Sequence, residues 1–185
     1  MKFCSHCGAA LSVLIPDGDN LPRHVCGKCG AIHYLNPKLV VGCIAEWHDQ
    51  ILLCRRSIEP RYGLWTLPAG FMENGESTAA AARRETLEEA CAQVEIRQPF
   101  AMLSVPHINQ VHLFYRARLR HKDFAAGLET LETALFEEEA IPWQNLAFQT
   151  VTRCLQAYFA DRKAGRFTFH EDELWPPGGL VAGIK

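Results

Sequence analysis

No apolar run in this 185-residue chain approaches the ~20 residues needed to span a bilayer. No secretory segment begins at Met1-Lys2-Phe3 either. Both absences point away from membranes and export; free cysteines together with a metal-binding set point to a reducing cytoplasm. Charge of one sign is missing too: 19 Lys and Arg stand against 21 Asp and Glu, a formal −2. Such a balance gives no global attraction to nucleic acid or to anionic membranes. Low-complexity stretches are absent, and the only internal repeat is a short Cys-x-x-Cys-Gly pair. What remains is ordinary globular composition, 48% hydrophobic and 22% charged, enough for one well-packed domain and a small appendage.

Cysteine is where the chain departs from the ordinary. Cys4-x2-Cys7 and Cys26-x2-Cys29 have the spacing of a four-cysteine zinc ribbon, each pair followed by a glycine, Gly8 or Gly30. Those glycines suit knuckle turns in which backbone amides point at sulfur. Four thiolates close a tetrahedron and leave no open position, so the expected Zn²⁺ is structural. Two disulfides or a redox motif are the competing readings. The first fits poorly with Cys43, Cys54, Cys91 and Cys154, which have no paired spacing. The second needs a single Cys-x-x-Cys opening a helix after a strand. His6 and His24 lie near enough in sequence to replace a ligand but are expected to be surface residues. A nucleic-acid-binding ribbon would carry a basic stripe; here Lys2, Arg23 and Lys28 are offset by Asp17 and Asp19.

The second concentration of chemistry runs from Gly70 to Ala92. Behind a glycine loop, Glu85, Glu88 and Glu89 fall on one face of a helix expected to be capped by Ser77, because positions i, i+3 and i+4 are neighbours. Three like charges there should raise one another's pKa values, and they sit toward the helix end that disfavours negative charge. A hard divalent cation such as Mg²⁺ resolves the conflict, since it takes carboxylate oxygens and retains waters for substrate phosphates. The bland alternative is a solvated acidic face.

Periodicity places these segments in an α/β architecture. Residues 1–35 form the ribbon, 36–165 the main domain and 166–185 a C-terminal tail, with the first boundary at Asn36-Pro37-Lys38. Leu39–Glu46 and Gln50–Arg55 read as strands joined by a Trp47-His48-Asp49 hairpin. Arg61–Phe71 reads as loop and short strand, and Val94–Val105, Val111–Leu119 and Leu131–Phe136 as further strands. Leu146–Ala164 reads as a closing helix with Val151, Leu155, Tyr158 and Phe159 on one side. Together they predict an α/β/α sandwich around a mixed sheet, preceded by a small zinc ribbon. Trp65 is expected to pack behind the glycine loop. Of Tyr62, Phe71 and Phe100, all capable of lining a base pocket, at least two are expected in the core. Pro106, His107 and His112 carry little functional signal by themselves.

The stretch Gly70, Glu76, Arg84-Glu85, Glu88-Glu89 resembles the Nudix hydrolase signature, G-x5-E-x7-R-E-U-x-E-E-x-G-U with U bulky and apolar. Thr86 and Ala92 stand at the apolar positions and Cys91 replaces the final glycine. That glycine ends the helix in a left-handed conformation, which costs another residue roughly 1–2 kcal/mol; otherwise the helix continues and buries the thiol beside Leu87. A retired ligand sensor on this fold would have lost a box glutamate, and all are present. NADH pyrophosphatases with a ribbon carry a Ser-Gln-Pro-Trp-type motif that this chain lacks. Phrases such as Ile15-Pro16-Asp17-Gly18, Asn36-Pro37-Lys38, Gly63–Gly70, Leu146-Ala147-Phe148 and Phe167–His170 resemble the plastid-type FAD pyrophosphatase group and its bacterial relatives.

The resemblance implies hydrolysis of the diphosphate bond of a dinucleotide or nucleoside diphosphate derivative, FAD to FMN and AMP first, with ADP-ribose or NADH as alternatives. It implies Mg²⁺ or Mn²⁺ held by Glu85 and Glu89, with Glu88 a third ligand or the group that polarises water, and the Gly70 carbonyl as a further ligand. Arg84 should orient Glu85, and Glu76 should hold Arg84 or bind an outer metal. Glu129, Glu132 and Glu137 to Glu139 are candidates for a general base outside the box. A homodimer is expected on the resemblance alone.

Overall fold

The computed structural model describes residues 1–176; the last part of the stretch read as a tail, residues 177–185, lies outside the described residues. Two compact units divide at Pro37 and Lys38. The first contains β1 (Leu11–Leu14), β2 (Arg23–Cys26) and β3 (Ile32–His33), an antiparallel sheet in the order β1-β2-β3. Gly8 and Gly30, both at φ 72°, close the two knuckles, and their N–H groups donate to the carbonyls of Cys4 and Cys26. A positive φ is why glycine follows each cysteine pair.

The second unit holds β4 (Lys38–Trp47), β5 (Gln50–Arg56), β6 (Trp65–Thr66), β7 (Ala69–Phe71), α1 (Thr78–Ala90), β8 (Val94–Val105), β9 (Gln110–Leu119), β10 (Thr130–Phe136), α2 (Gln149–Lys163) and β11 (His170–Glu173). Its sheet runs β10-β5-β4-β9-β8-β11, with β6 paired to β5 and β7 to β4. The β4–β9 and β8–β11 pairs are parallel and the other pairs antiparallel, so the sheet is mixed.

Strand alternation distributes the core to two faces. Val41, Cys43 and Ala45 of β4 and Leu52 and Cys54 of β5 pack with Ala81, Ala82 and Ala90 of α1. Ile44 of β4 and Ile51 and Leu53 of β5 pack instead with Val151, Leu155, Tyr158 and Phe159 of α2. Burial on both faces explains why these strands read as continuous apolar runs rather than as alternating ones. Small alanines on α1 let that helix lie close to the sheet, which sets the glutamates on its next turn beside β7.

Two differences from the sequence expectation come from contacts with distant parts of the chain. α2 begins at Gln149, not Leu146, because Leu146 forms a bridge with Trp65 and the Ala147 N–H donates to the Trp65 carbonyl at 2.7 Å. β8, by contrast, covers the expected Val94–Val105 and accommodates Pro99 by a shift of register beside it, as a residue without an N–H requires. The start of the supposed tail adds the edge strand β11 alongside Ala101–Ser104, with the Asp161 carboxylate accepting from the Thr168 N–H at 2.7 Å.

Candidate functional site

Ser77 caps α1 as expected, its hydroxyl accepting from the Ala80 N–H at 3.2 Å. At the other end Cys91 adopts φ 49°, ψ 23°, left-handed and exposed. The helix therefore stops where the motif's glycine would stop it, and the thiol is not buried beside Leu87. The terminal carbonyls are taken by a following loop: the Ala125 N–H donates to Ala90 at 2.9 Å and the Gly127 N–H to Glu89 at 3.0 Å. A Cβ on Gly127 would lie 1.8 Å from the Glu88 carbonyl oxygen, so only glycine permits this approach. The loop delivers Glu129 to the cleft in front of the helix.

Glu85 and Glu89 are each only 8% exposed, while the Glu88 side chain is 57% exposed. The one helical face thus splits into two sheltered carboxylates and one at the rim. The Glu89 carboxylate accepts from the Ala69 N–H at 3.1 Å. Glu85 lies against the backbone of Gly70, where any Cβ would fall 2.3 Å from its Oε2. Arg84 connects the rest. Its guanidinium donates to Glu76 at 2.7 and 3.1 Å, Glu85 at 2.7 Å, Glu88 at 3.0 Å and the Phe71 carbonyl at 3.1 Å. Glu76 accordingly holds Arg84, and its carboxyl is lowered by that guanidinium.

Glu85 is raised above its ordinary value, and Glu89 is raised to about 8. Burial is the first cause in both cases; neighbouring carboxylates, Glu129 among them, add to it. The sequence argument from mutual repulsion therefore has the right direction and the wrong leading cause. A site that desolvates two carboxylates gains from a bound cation, and its donors are the hard oxygens that Mg²⁺ prefers. The residues fit such an ion.

Among the described residues, the four cysteines are the one group of three or more metal-ligating side chains whose ligand atoms all lie within 4.8 Å of one another. Cys4 and Cys29 sulfurs are 3.7 Å apart, and those of Cys7 and Cys26 are 3.5 Å apart. Zn–S bonds of about 2.3 Å place tetrahedral sulfurs about 3.8 Å apart, so this cluster fits zinc nearly unmoved. The Cys29 and Lys28 backbone N–H groups hold the Cys26 thiol down to about 6, favouring the thiolate. His33, not His6 or His24, supplies the close histidine, with Nε2 3.3 Å from the Cys4 sulfur. His6 contributes its backbone N–H to the same sulfur at 3.4 Å.

The glutamates open on a cleft of about 1030 Å³. Phe71 reaches it 49% exposed, with the Lys38 ammonium 4.9 Å from its ring centre, whereas Phe100 is fully buried and Tyr62 is exposed outside the lining. Trp65 packs edge-on to Phe136, as expected of a residue behind the loop. His107 and His112 line the wall, and burial pulls His112 down to about 4. Glu132 pairs with Arg55 and Glu138 with Lys163 away from the cleft. Of the candidate bases, Glu129 alone is among the lining residues. Arg56 and Arg61 also line it; nothing in their sequence setting distinguished them from solvated arginines.

Residues 36–165 match the NUDIX domain family and residues 2–35 the zinc ribbon described as Nudix N-terminal. The NAD-capped RNA hydrolase NudC of Chromobacterium violaceum is 31% identical over 76% of this chain. An ADP-ribose pyrophosphatase of Methanocaldococcus jannaschii is 36% identical over 40% of the chain and 43% of its own length. The chain spans about half the length of the NudC relative, 52%. A NUDIX hydrolase of Nitrosomonas europaea has a crystal structure that superposes with a TM-score of 0.92 at 52% identity, covering 94% of this chain and 99% of that one. No helix among the described residues is long and apolar enough to cross a membrane.

Proposed function

On the premise that this chain belongs to the Nudix hydrolase family, we propose that it hydrolyses the diphosphate bond of a dinucleotide, FAD first. The reading rests on one observation above the others: two sheltered carboxylates on α1 meet the backbone of a glycine strand at the edge of a cleft large enough for a dinucleotide. Glu85 and Glu89, with Glu88 and the Gly70 carbonyl, would hold Mg²⁺ or Mn²⁺. Such an ion, when bound, neutralises phosphate charge and makes water acidic enough to attack.

The chain's own residues supply the remainder. Arg84, fixed by Glu76 and the Phe71 carbonyl, keeps Glu85 and Glu88 from turning away. Glu129 accepts the proton of a water whose oxygen attacks one phosphorus in line; the anhydride P–O bond breaks, and the other phosphate leaves as an oxyanion. Phe71 offers a ring face for a base or flavin, with the Lys38 ammonium also against that ring. The four cysteines hold a structural Zn²⁺, and the family resemblance supports a homodimer.

Resemblance of the flanking phrases supports FAD. The printed activities of the relatives, NAD-capped RNA and ADP-ribose hydrolysis, support NAD-type ends as the second reading. Comparing kcat/KM for FAD, NADH, ADP-ribose, CoA, nucleoside triphosphates, diadenosine polyphosphates and an NAD-capped oligonucleotide, with Mg²⁺, decides between them. FAD is expected to lead and to give FMN and AMP. A tenfold lead for another substrate removes FAD, and cleavage of none removes the enzyme.

A further inference from the structure

One stretch of the cleft lining carries none of the chemistry assigned so far. It is made by Ala147, Phe148, Gln149 and Thr150, the approach to α2 and its first turn. Phe148 occupies the N-cap position and no side chain there caps the helix. A 15-residue helix thus presents its positive end, with its first N–H groups, along a cleft wall.

Thr150 adds an independent sign of a missing partner. It is 4% exposed, and its Oγ1 is the one buried side-chain oxygen or nitrogen among the described residues that has no hydrogen-bond partner. A threonine hydroxyl in a helix commonly donates to a carbonyl one turn back, as Thr152 does to Phe148 at 3.4 Å. Thr150, in the first turn, lies on the cleft wall instead. Nearby, the Arg56 guanidinium stands 5.1 Å from the Phe148 ring centre and is steadied by its Nε donating to the Pro60 carbonyl at 2.9 Å. Arg56 forms no ion pair among the described residues. A cation, a helix N-terminus and an idle hydroxyl share one preference: an anionic oxygen.

We propose that the first turn of α2, through the Thr150 hydroxyl and together with Arg56, is the subsite for the second phosphoryl group of the substrate. It would bind the group that leaves, while the glutamate side engages the one attacked. The proposal deepens the diphosphatase reading and rests on it for the identity of the ligand. It accounts for a cleft lined by both carboxylates and arginines, since a diphosphate meets a metal cluster at one phosphorus and fixed donors at the next.

The test uses the zinc-loaded full chain and inorganic pyrophosphate, titrated by calorimetry without added divalent cation, alongside thermal melts. Thr150→Val keeps the shape and removes the hydroxyl. Because that hydroxyl satisfies nothing in the free protein, the variant should melt at the wild-type temperature or above it. Its pyrophosphate affinity should nevertheless fall about tenfold, the worth of a hydrogen bond to a charged group. Thr150→Ser should bind as wild type does, and Arg56→Gln should lose at least as much as Thr150→Val. In turnover, Thr150→Val should raise KM with kcat little changed, because the contact exists before and during the reaction.

Wild-type affinity in Thr150→Val, or a loss shared equally by Thr150→Ser, overturns the subsite. Absence of pyrophosphate binding to the wild type overturns it as well. Pyrophosphate binding that responds as described, in a protein that cleaves no nucleotide, would keep the subsite and discard the hydrolase.

Discussion

In the ribbon, Cys4 and Cys26 are the only buried side chains among the described residues of that unit. The unit beginning at Lys38 instead packs apolar layers on both faces of its sheet. Their polar clusters differ in the same way. The four sulfurs already lie within 4.8 Å of one another, two pairs of them near the tetrahedral spacing, while the box carboxylates are held by Arg84 lodged among them. One cluster substitutes for a core and must be closed. The other is carried by a core that would stand without it, so it can stay open to water and substrate.

Removing metal should expose this contrast most strongly. Stripping zinc with a chelator, or changing Cys26→Ser, should unfold the ribbon, since a structural zinc contributes on the order of 10 kcal/mol to such a unit. The second unit should keep its own melting transition. Calorimetry checks this, and a ribbon that melts unchanged without zinc would erase the distinction between the clusters.

Glu85→Gln and Glu89→Gln probe the opposite case. Each should lower kcat/KM by at least about a hundredfold while melting within a few degrees of the wild type, because a neutral amide sits more easily in a desolvated place than a carboxylate does. Near-normal turnover at ordinary Mg²⁺ concentrations would remove the site.

A subtler prediction concerns acid. Burial depresses His112 in the folded chain, from 6.5 to about 4. Above pH 6.5 both folded and unfolded forms are neutral there, and the residue has no effect on stability. Between pH 6.5 and 4 the unfolded chain takes up a proton that the folded one refuses, so stability falls with pH across that window and levels below it. His112→Gln should flatten this part of the stability profile; an unchanged slope in denaturant titrations would assign the decline to other groups. Smallest of all, Cys91→Gly should be neutral or stabilise by up to about 1 kcal/mol, since glycine adopts the left-handed cap freely. A drop of several degrees in melting temperature would show that the thiol matters to packing.

Local signals in the sequence were enough for much of the fold. β4 and β5 were visible as paired apolar runs, α1 by its serine cap and glutamate spacing, and the ribbon by its knuckles. The shortfalls are all non-local. The start of α2 depends on a bridge from Leu146 to Trp65, and β11 on a parallel partner far earlier in the chain. At the candidate site the box residues could be named in advance, but not which carboxylates would be sheltered, because that depends on β7 crossing beside α1. Glu129 could be shortlisted yet not chosen. Its position follows from Gly127, a glycine whose importance shows only when the Glu88 carbonyl lies under it. Arg56, Thr150 and His33 left no mark in the sequence.

β11 carries a practical lesson about where such a protein can be cut. The family match ends at residue 165, and a fragment trimmed there would retain every glutamate of the motif. Leu174 lies beyond that point, 4% exposed, held by its N–H to the Ser104 carbonyl at 2.8 Å, and it forms part of the cleft lining. A truncation designed from the family match alone would therefore pass a motif inspection and still lack a piece of the cleft lining. An affinity tag or fusion joined just after β11 would sit at the same doorway.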